Sequence, residues 1–196
     1  EILRSYHGTL NFVLLPPGGK ALALNAGVAA ARHDVLVFAD ARQTFAPDAL
    51  RALVTALADP RVGGVSGELV LDCESASTDS AIGDGVGAYW RYEKWLRRHE
   101  SLVGSIVGST GAIYALRREL WQPLPPDTIL DDVLAPMRAV LSGARVVFEG
   151  SARAYDRVAS AASTEFQRKT RTLSGNYQIL RLEPRLLVPF VNPVWI

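Results

Sequence analysis

An α/β fold, with parallel strands and flanking helices, is what three features of this chain predict. Val35-Leu36-Val37-Phe38-Ala39 is an apolar run too short for a helix, and it stops abruptly on Asp40. A strand buried on both faces reads this way. Strand-like and helix-like periods alternate from Leu10 to Leu71, which is the order of βα units. Asp131-Asp132 then opens a further apolar helical period. Ligands of open α/β sheets gather just beyond the carboxyl ends of such strands, so Asp40 is the first candidate residue.

Composition narrows the class. A chain of 196 residues, 48% hydrophobic and 21% charged, suits one domain with a sizeable core. The net charge of +1 leaves no electrostatic footprint for nucleic acid. A single cysteine, Cys73, excludes an internal disulfide. No apolar stretch reaches the ~20 residues that span a bilayer.

In chain order, Leu10 to Leu15 reads as a strand and Pro16 to Lys20 as a turn. Ala21, Leu24 and Val28 share one face of a helix running to about Arg32, and the strand ending at Asp40 completes a βαβ unit. Gly18-Gly19-Lys20 is not a phosphate loop, because Leu14 and Ala21 stand where Gly and Ser or Thr are required. Lys20 either meets a phosphate as a point charge or is a solvated first-turn lysine. Pro47 opens a helix with Leu50, Leu53, Val54 and Leu57 on one face, and a strand follows from Val62 to Leu71. Ser66 has Gly64 and Glu68 around it instead of the paired glycines of a nucleophile elbow. Asp72 to Gly87 reads as a small-residue loop whose glycines lack the dinucleotide spacing. A hydrolase and a nicotinamide enzyme lose support on these grounds.

The stretch from Ala88 to His99 carries Tyr89, Trp90, Tyr92 and Trp95 among basic residues and reads as a helix whose aromatics either line a sugar or lipid-headgroup surface or, as aromatics more often do, pack into the core. A turn of small residues, Val107 to Gly111, precedes a short strand and permits close backbone approach to a ligand. Asp131 and Asp132 sit at the start of a helix defined by Val133, Met137, Val140 and Leu141. Acids there either cap the helix or supply a fixed general base. A strand from Ala144 to Glu149 leads to a last helix, defined by Phe166, Thr170, Leu173, Tyr177 and Leu180, with Arg168, Lys169 and Arg171 in its opening turns. At Asp40, hard carboxylate oxygen suits Mn or Mg with bound phosphates, while a turn aspartate satisfying backbone amides has the same local sequence.

Taken together, four ordered stretches resemble the family 2 glycosyltransferases. Gly19 to Gly27 followed by Val37-Phe38-Ala39-Asp40-Ala41 is similar to the family's helix and Asp-x-Asp strand end. Gly108 to Arg118 is similar to its acceptor-side segment, Leu130-Asp131-Asp132 to its base motif, and Arg168 to Thr172 to the Gln-x-x-Arg-Trp motif of membrane-bound polysaccharide synthases. The match runs from Leu10 to Leu180. Three departures stand out: Arg42 in place of the family's second metal-binding Asp, Asp131 in place of Glu, and Arg168 and Thr172 in place of the Gln and Trp of processive polymerases.

The resemblance implies a GT-A fold, a mixed and mostly parallel sheet flanked by helices, incomplete at its N-terminus. It implies a partial catalytic domain over residues 1–185, with residues 186–196 an apolar edge leading toward a membrane segment. The expected reaction is inverting transfer of a sugar from a nucleotide-diphosphate donor to a glycan or lipid-linked acceptor. Asp132 is then the base; Lys20, Asn25, Asp40, Arg168 and Arg171 line the donor diphosphate; Asp40 holds a divalent cation, Mn or Mg; Gly111 and Asp131 lie on the acceptor side. The longer protein is expected at the cytoplasmic face of the inner or plasma membrane. The rival expectation is a non-catalytic scaffold on the same frame, and it is tested by whether Asp40 and Asp132 face one cleft.

Overall fold

The computed structural model describes residues 11–72, 80–157 and 162–189. The elements run α1 (Gly19–Ala30), β1 (Val35–Ala39), β2 (Thr44–Phe45), α2 (Ala49–Ala56), β3 (Val62–Asp72), α3 (Ser80–Val103), β4 (Ile113–Arg117), α4 (Asp131–Leu141), β5 (Arg145–Arg157) and α5 (Ala162–Leu182), with two short 3-10 turns at Arg118–Leu120 and Pro184–Leu187. Five strands form one sheet in the order β1-β4-β3-β5-β2. β1, β3 and β5 run in one direction, and β4 and β2 run against them, so direct parallel pairing is confined to β3 and β5. The sheet is mixed because β4 enters between two like-directed strands.

Helices cover both faces. On one face Leu36, Phe38, Tyr114, Leu116 and Val146 meet Ala21 of α1, Leu134, Met137 and Val140 of α4, and Ile179 of α5. On the other, Val65, Ile113, Ala115 and Ala154 meet Leu53 and Leu57 along α2. Each strand alternates between the two cores because successive side chains point to opposite faces. β3 and β5 approach so closely that a Cβ on Gly67 would lie 2.4 Å from the Ala152 carbonyl oxygen. A register shift between Ser66 and Glu68 accompanies that contact.

Several expectations need correction. Residues 11–16 are irregular, not a strand, and Leu14 is 94% exposed. Among the described residues β1 pairs only with β4, and residues 11–16 join no strand ladder. The helix of α2 buries Ala49, Leu53 and Leu57 and leaves Leu50 and Val54 about half exposed; the small alanine, not the larger leucine, faces the sheet. Helix α3 begins at Ser80, inside the stretch read as a loop, and runs on to Val103. Its Tyr92 and Trp95 stack on one another and are 59% and 54% exposed. The inward face is polar: Lys94 pairs with the buried Glu68, and Ser101 accepts from the Phe148 amide. The last strand continues past Glu149 to Arg157. In α5, Leu173 and Tyr177 are exposed and Ile179 is buried. Cys73 and most of residues 186–196 lie outside the described residues, and none of the helices described is long and apolar enough to cross a membrane.

Candidate functional site

The sheet brings distant acids to one edge. Ala39 stands opposite Ile113 in the β1–β4 register. Asp40, the next residue after Ala39, therefore leaves the sheet beside the Gly108–Gly111 turn that feeds β4. Helix α1 presents Lys20 from its first turn, and α4 presents Asp131 and Asp132 from its own. At α1 the chain turns through Gly19 at φ 82°, which a side chain disfavours.

Lys20 ties these segments together. Its Nζ lies 3.3 Å from Asp40 Oδ1 and 3.1 Å from Asp131 Oδ2. Burial pulls the ammonium down, but Asp131 above all, then Asp40 and Asp132, outweigh burial and hold its pKa above the ordinary value. Asp131 is buried and Asp40 partly open, so the bridge runs from the interior toward the surface.

Asp132 is the second focus. Burial, and next the Asp131 charge, raise its pKa above the usual carboxylate range, opposed by Lys20 and by backbone amides including that of Gly111. The Ser109 amide donates to the Asp132 carbonyl at 2.8 Å, which clips the turn onto α4. A Cβ on Gly111 would sit 2.8 Å from Asp132 Oδ2. Glycine at that position is what lets the carboxylate lie against the turn.

Arg42 approaches Asp40 from the other side, with Nη2 3.6 Å from Oδ2. Its Nε donates to Asp156 Oδ2 at 2.8 Å, and Gln43 Nε2 donates to the same oxygen at 2.8 Å. Asp156 belongs to the extended part of β5. Tyr114 lies beneath the acids, stacked on Phe38 at 4.5 Å between centroids. Burial first, then Asp131, Asp132 and Asp40, push its phenol well above the ordinary value, and its hydroxyl has no hydrogen-bond partner among the described residues.

Of the residues expected here, Lys20, Asp40, Asp131, Asp132 and Gly111 come together. Asn25 does not join them: its amide donates to the Leu124 carbonyl at 2.8 Å and accepts from the Leu124 amide at 2.9 Å, which pins a loop to α1. Arg171 donates to the Ile129 carbonyl at 3.3 Å, holding α5 to the stretch that leads into α4. Arg168 falls on α5, with its side chain outside what is described. Asp156, Gln43 and Tyr114 were not anticipated. Continuing the period-2 pattern through Ala152 and Ala154, both buried, reaches Asp156 and was the available signal for it.

The residues fit a divalent cation in one respect and need help in another. No three His, Cys, Asp or Glu among the described residues form a complete set of ligands. Mg²⁺ and its relatives, however, are commonly held by one or two carboxylates together with substrate phosphates. Asp40, Asp131, Asp132 and Asp156 also outnumber Lys20 and Arg42, an imbalance that favours a cation at this edge.

Residues 1–122 match the family model described as glycosyl transferase family 2. No curated protein matches the chain. Among solved structures, a mannosyltransferase from Pyrobaculum calidifontis in complex with GDP-Man and Mn²⁺ is 22% identical at a TM-score of 0.70, covering 98% of this chain and 57% of that one. The glucosyl-3-phosphoglycerate synthase of Mycobacterium tuberculosis, in complex with Mn²⁺, UDP-Glc and phosphoglyceric acid, is 20% identical at 0.51, covering 86% and 56%. The chain thus spans little more than half the length of either. These likenesses establish a GT-A glycosyltransferase-like fold, and with the family match over more than half of its length the chain belongs to glycosyl transferase family 2.

Proposed function

We propose that this domain transfers a sugar from a nucleotide-diphosphate donor to a hydroxyl of a glycan or lipid-linked acceptor, with inversion at the anomeric carbon. The observation that carries this reading is the continuous charge chain Asp40–Lys20–Asp131 beside Asp132. It sets a diphosphate-side group and a candidate base at one sheet edge. A scaffold has no use for a buried Asp131 beside a half-buried Asp132 with a single lysine against them, since such groups cost stability unless they serve a purpose.

Asp132 accepts the acceptor's hydroxyl proton. The freed oxygen attacks the anomeric carbon from the side opposite the leaving group, the carbon–oxygen bond to phosphate breaks, and the electron pair departs on the nucleoside diphosphate. The proton on Asp132 then returns to solvent. A raised pKa makes Asp132 a stronger base once it is ionised. Asp131, locked to Lys20, keeps the ammonium aimed at the edge where the departing phosphate gains charge. A divalent cation, Mn or Mg, held by Asp40 would neutralise the diphosphate when bound. Asn25 acts indirectly, by fixing the loop at Leu124; Arg171 steadies the approach to α4, and Arg168 lies on the same helix.

The relatives named above bind GDP-Man and UDP-Glc with Mn²⁺, and donors of that class are the ones to test here. A lipid-linked acceptor would place the longer protein at the cytoplasmic face of a membrane. Asp132→Asn tests the base directly. Donor-dependent transfer should fall by about 10²–10⁴-fold while donor affinity, read by calorimetry, stays within about twofold. Transfer unchanged by the substitution contradicts the assignment.

A further inference from the structure

We infer that Arg42 is a ligand of the donor diphosphate, aimed by Asp156. This rests on the proposed donor site, but nothing in the reading so far requires it. An arginine next to a metal-side aspartate is unexpected on electrostatic grounds alone, because it competes with a cation for the same carboxylate.

The geometry gives the side chain a task. One edge of the guanidinium is fixed: Nε donates to Asp156 Oδ2 at 2.8 Å, and that carboxylate, 12% exposed, is itself held by Gln43. Nη2 stands 3.6 Å from Asp40 Oδ2, an ionic contact and not a hydrogen bond. Nη1 makes no hydrogen bond among the described residues, and the side chain is 59% exposed. A strap joining the β1–β2 turn to β5 needs only the Nε contact. Here Nη2 faces Asp40 without a hydrogen bond and Nη1 has no hydrogen bond among the described residues, and a guanidinium held on one edge offers a planar fork that suits phosphate oxygens.

Position supports the same assignment. Arg42 lies just past the carboxyl end of β1 and takes one oxygen of Asp40 while Lys20 takes the other. Two cations thus flank one carboxylate, one from each side of the place where a diphosphate would lie. As the bond to the sugar breaks, charge collects on the departing phosphate, and a donor already oriented by Asp156 needs no rearrangement to meet it.

The experiment is calorimetric titration of UDP and GDP, and of the corresponding monophosphates, into wild-type protein, Arg42→Gln, Arg42→Lys and Asp156→Asn, with Mn²⁺ present. For the diphosphate that binds, Arg42→Gln should weaken affinity by about 10-fold or more, and the monophosphate should lose less than about threefold. Arg42→Lys should recover part of the loss, since charge returns without the fork. Asp156→Asn should fall between the wild type and Arg42→Gln. Equal affinity of wild type and Arg42→Gln for the diphosphate overturns the inference, as does an equal loss for mono- and diphosphate, which marks a structural strap. Failure of both diphosphates to bind the wild type overturns the donor site itself, and Arg42's role with it.

Discussion

At the scale of single residues, Asp132 carries opposite demands of function and stability. Its carboxyl holds a proton to higher pH in the folded chain than in the unfolded one, chiefly because it is buried and next because Asp131 is charged. Between the ordinary aspartate value, about 4, and its raised value, the folded state binds more protons. Stability from this group is therefore full below that window and is lost as pH rises through it. Asparagine carries no such penalty. Asp132→Asn should unfold about 2–4 °C higher than wild type at pH 7.5, with the gap closing as pH falls toward about 4. Thermal melts across pH check this; an equal gap at every pH would point to packing instead of charge. Activity should follow the reverse course, lost as pH drops through the raised value because the base becomes protonated. Gly111 is tied to the same group. The added methyl of Gly111→Ala would lie 2.8 Å from Asp132 Oδ2 and must displace the carboxylate. A loss of roughly 10–100-fold in turnover with an unchanged melting temperature is expected, since a misplacement near 1 Å costs that much.

At the scale of elements, the described part of α3 meets the sheet by charge, while its Tyr92 and Trp95 are exposed and Tyr89 and Trp90 have side chains outside what is described. Glu68 on β3 is buried and pairs with Lys94, with Arg153 3.8 Å away. Lys94→Met leaves that acid, among the described residues, facing the more distant arginine; because Lys94 is 36% exposed, the cost falls below that of a fully buried pair, at about 1–3 kcal/mol. Denaturant melts should show a loss of that order, largely restored in Lys94→Met combined with Glu68→Gln; a loss of under about 1 kcal/mol would mean that the pair is solvated in practice. The same helix explains why parts of the fold were not legible. β1, α4 and the acids at their ends are local signals, namely a short apolar run and a helical period opened by two aspartates, and both elements form where they were read, although β1 pairs antiparallel with β4 and leaves Val37 40% exposed instead of being a parallel strand buried on both faces. Which face of α2, α3 or α5 turns inward depends on partners far along the chain. Ala49 was passed over for Leu50, and the aromatic density of α3 was taken for a core when the buried partner was Glu68. Asp156 escaped for a related reason. It reaches Arg42 only because β2 pairs with β5, a pairing that no local period announces.

At the scale of the whole molecule, the topology is what creates a site. β4 runs antiparallel between β1 and β3, and so returns the Gly108–Gly111 turn to the edge where Asp40 emerges. α1 and α4 then cover the same face of the sheet and bring Lys20 and Asp131 within 3.1 Å. Residues from α1, the β1 end, the glycine turn and the start of α4 meet there, although they span much of the sequence. The acids Asp40 and Asp132 could be picked from the sequence; the lysine bridge that joins their neighbourhoods could not, because only the packing of α1 against α4 makes it.

The claim that these residues form one donor site is tested most directly by titrating UDP- and GDP-sugars into the wild type and into Asp40→Ala, each with Mn²⁺ and with a chelator. The account predicts that one of the two donors binds the wild type in Mn²⁺, weakens by at least about 10-fold in chelator, and gives no measurable heat with Asp40→Ala. Binding that is indifferent both to the chelator and to loss of Asp40 would contradict it.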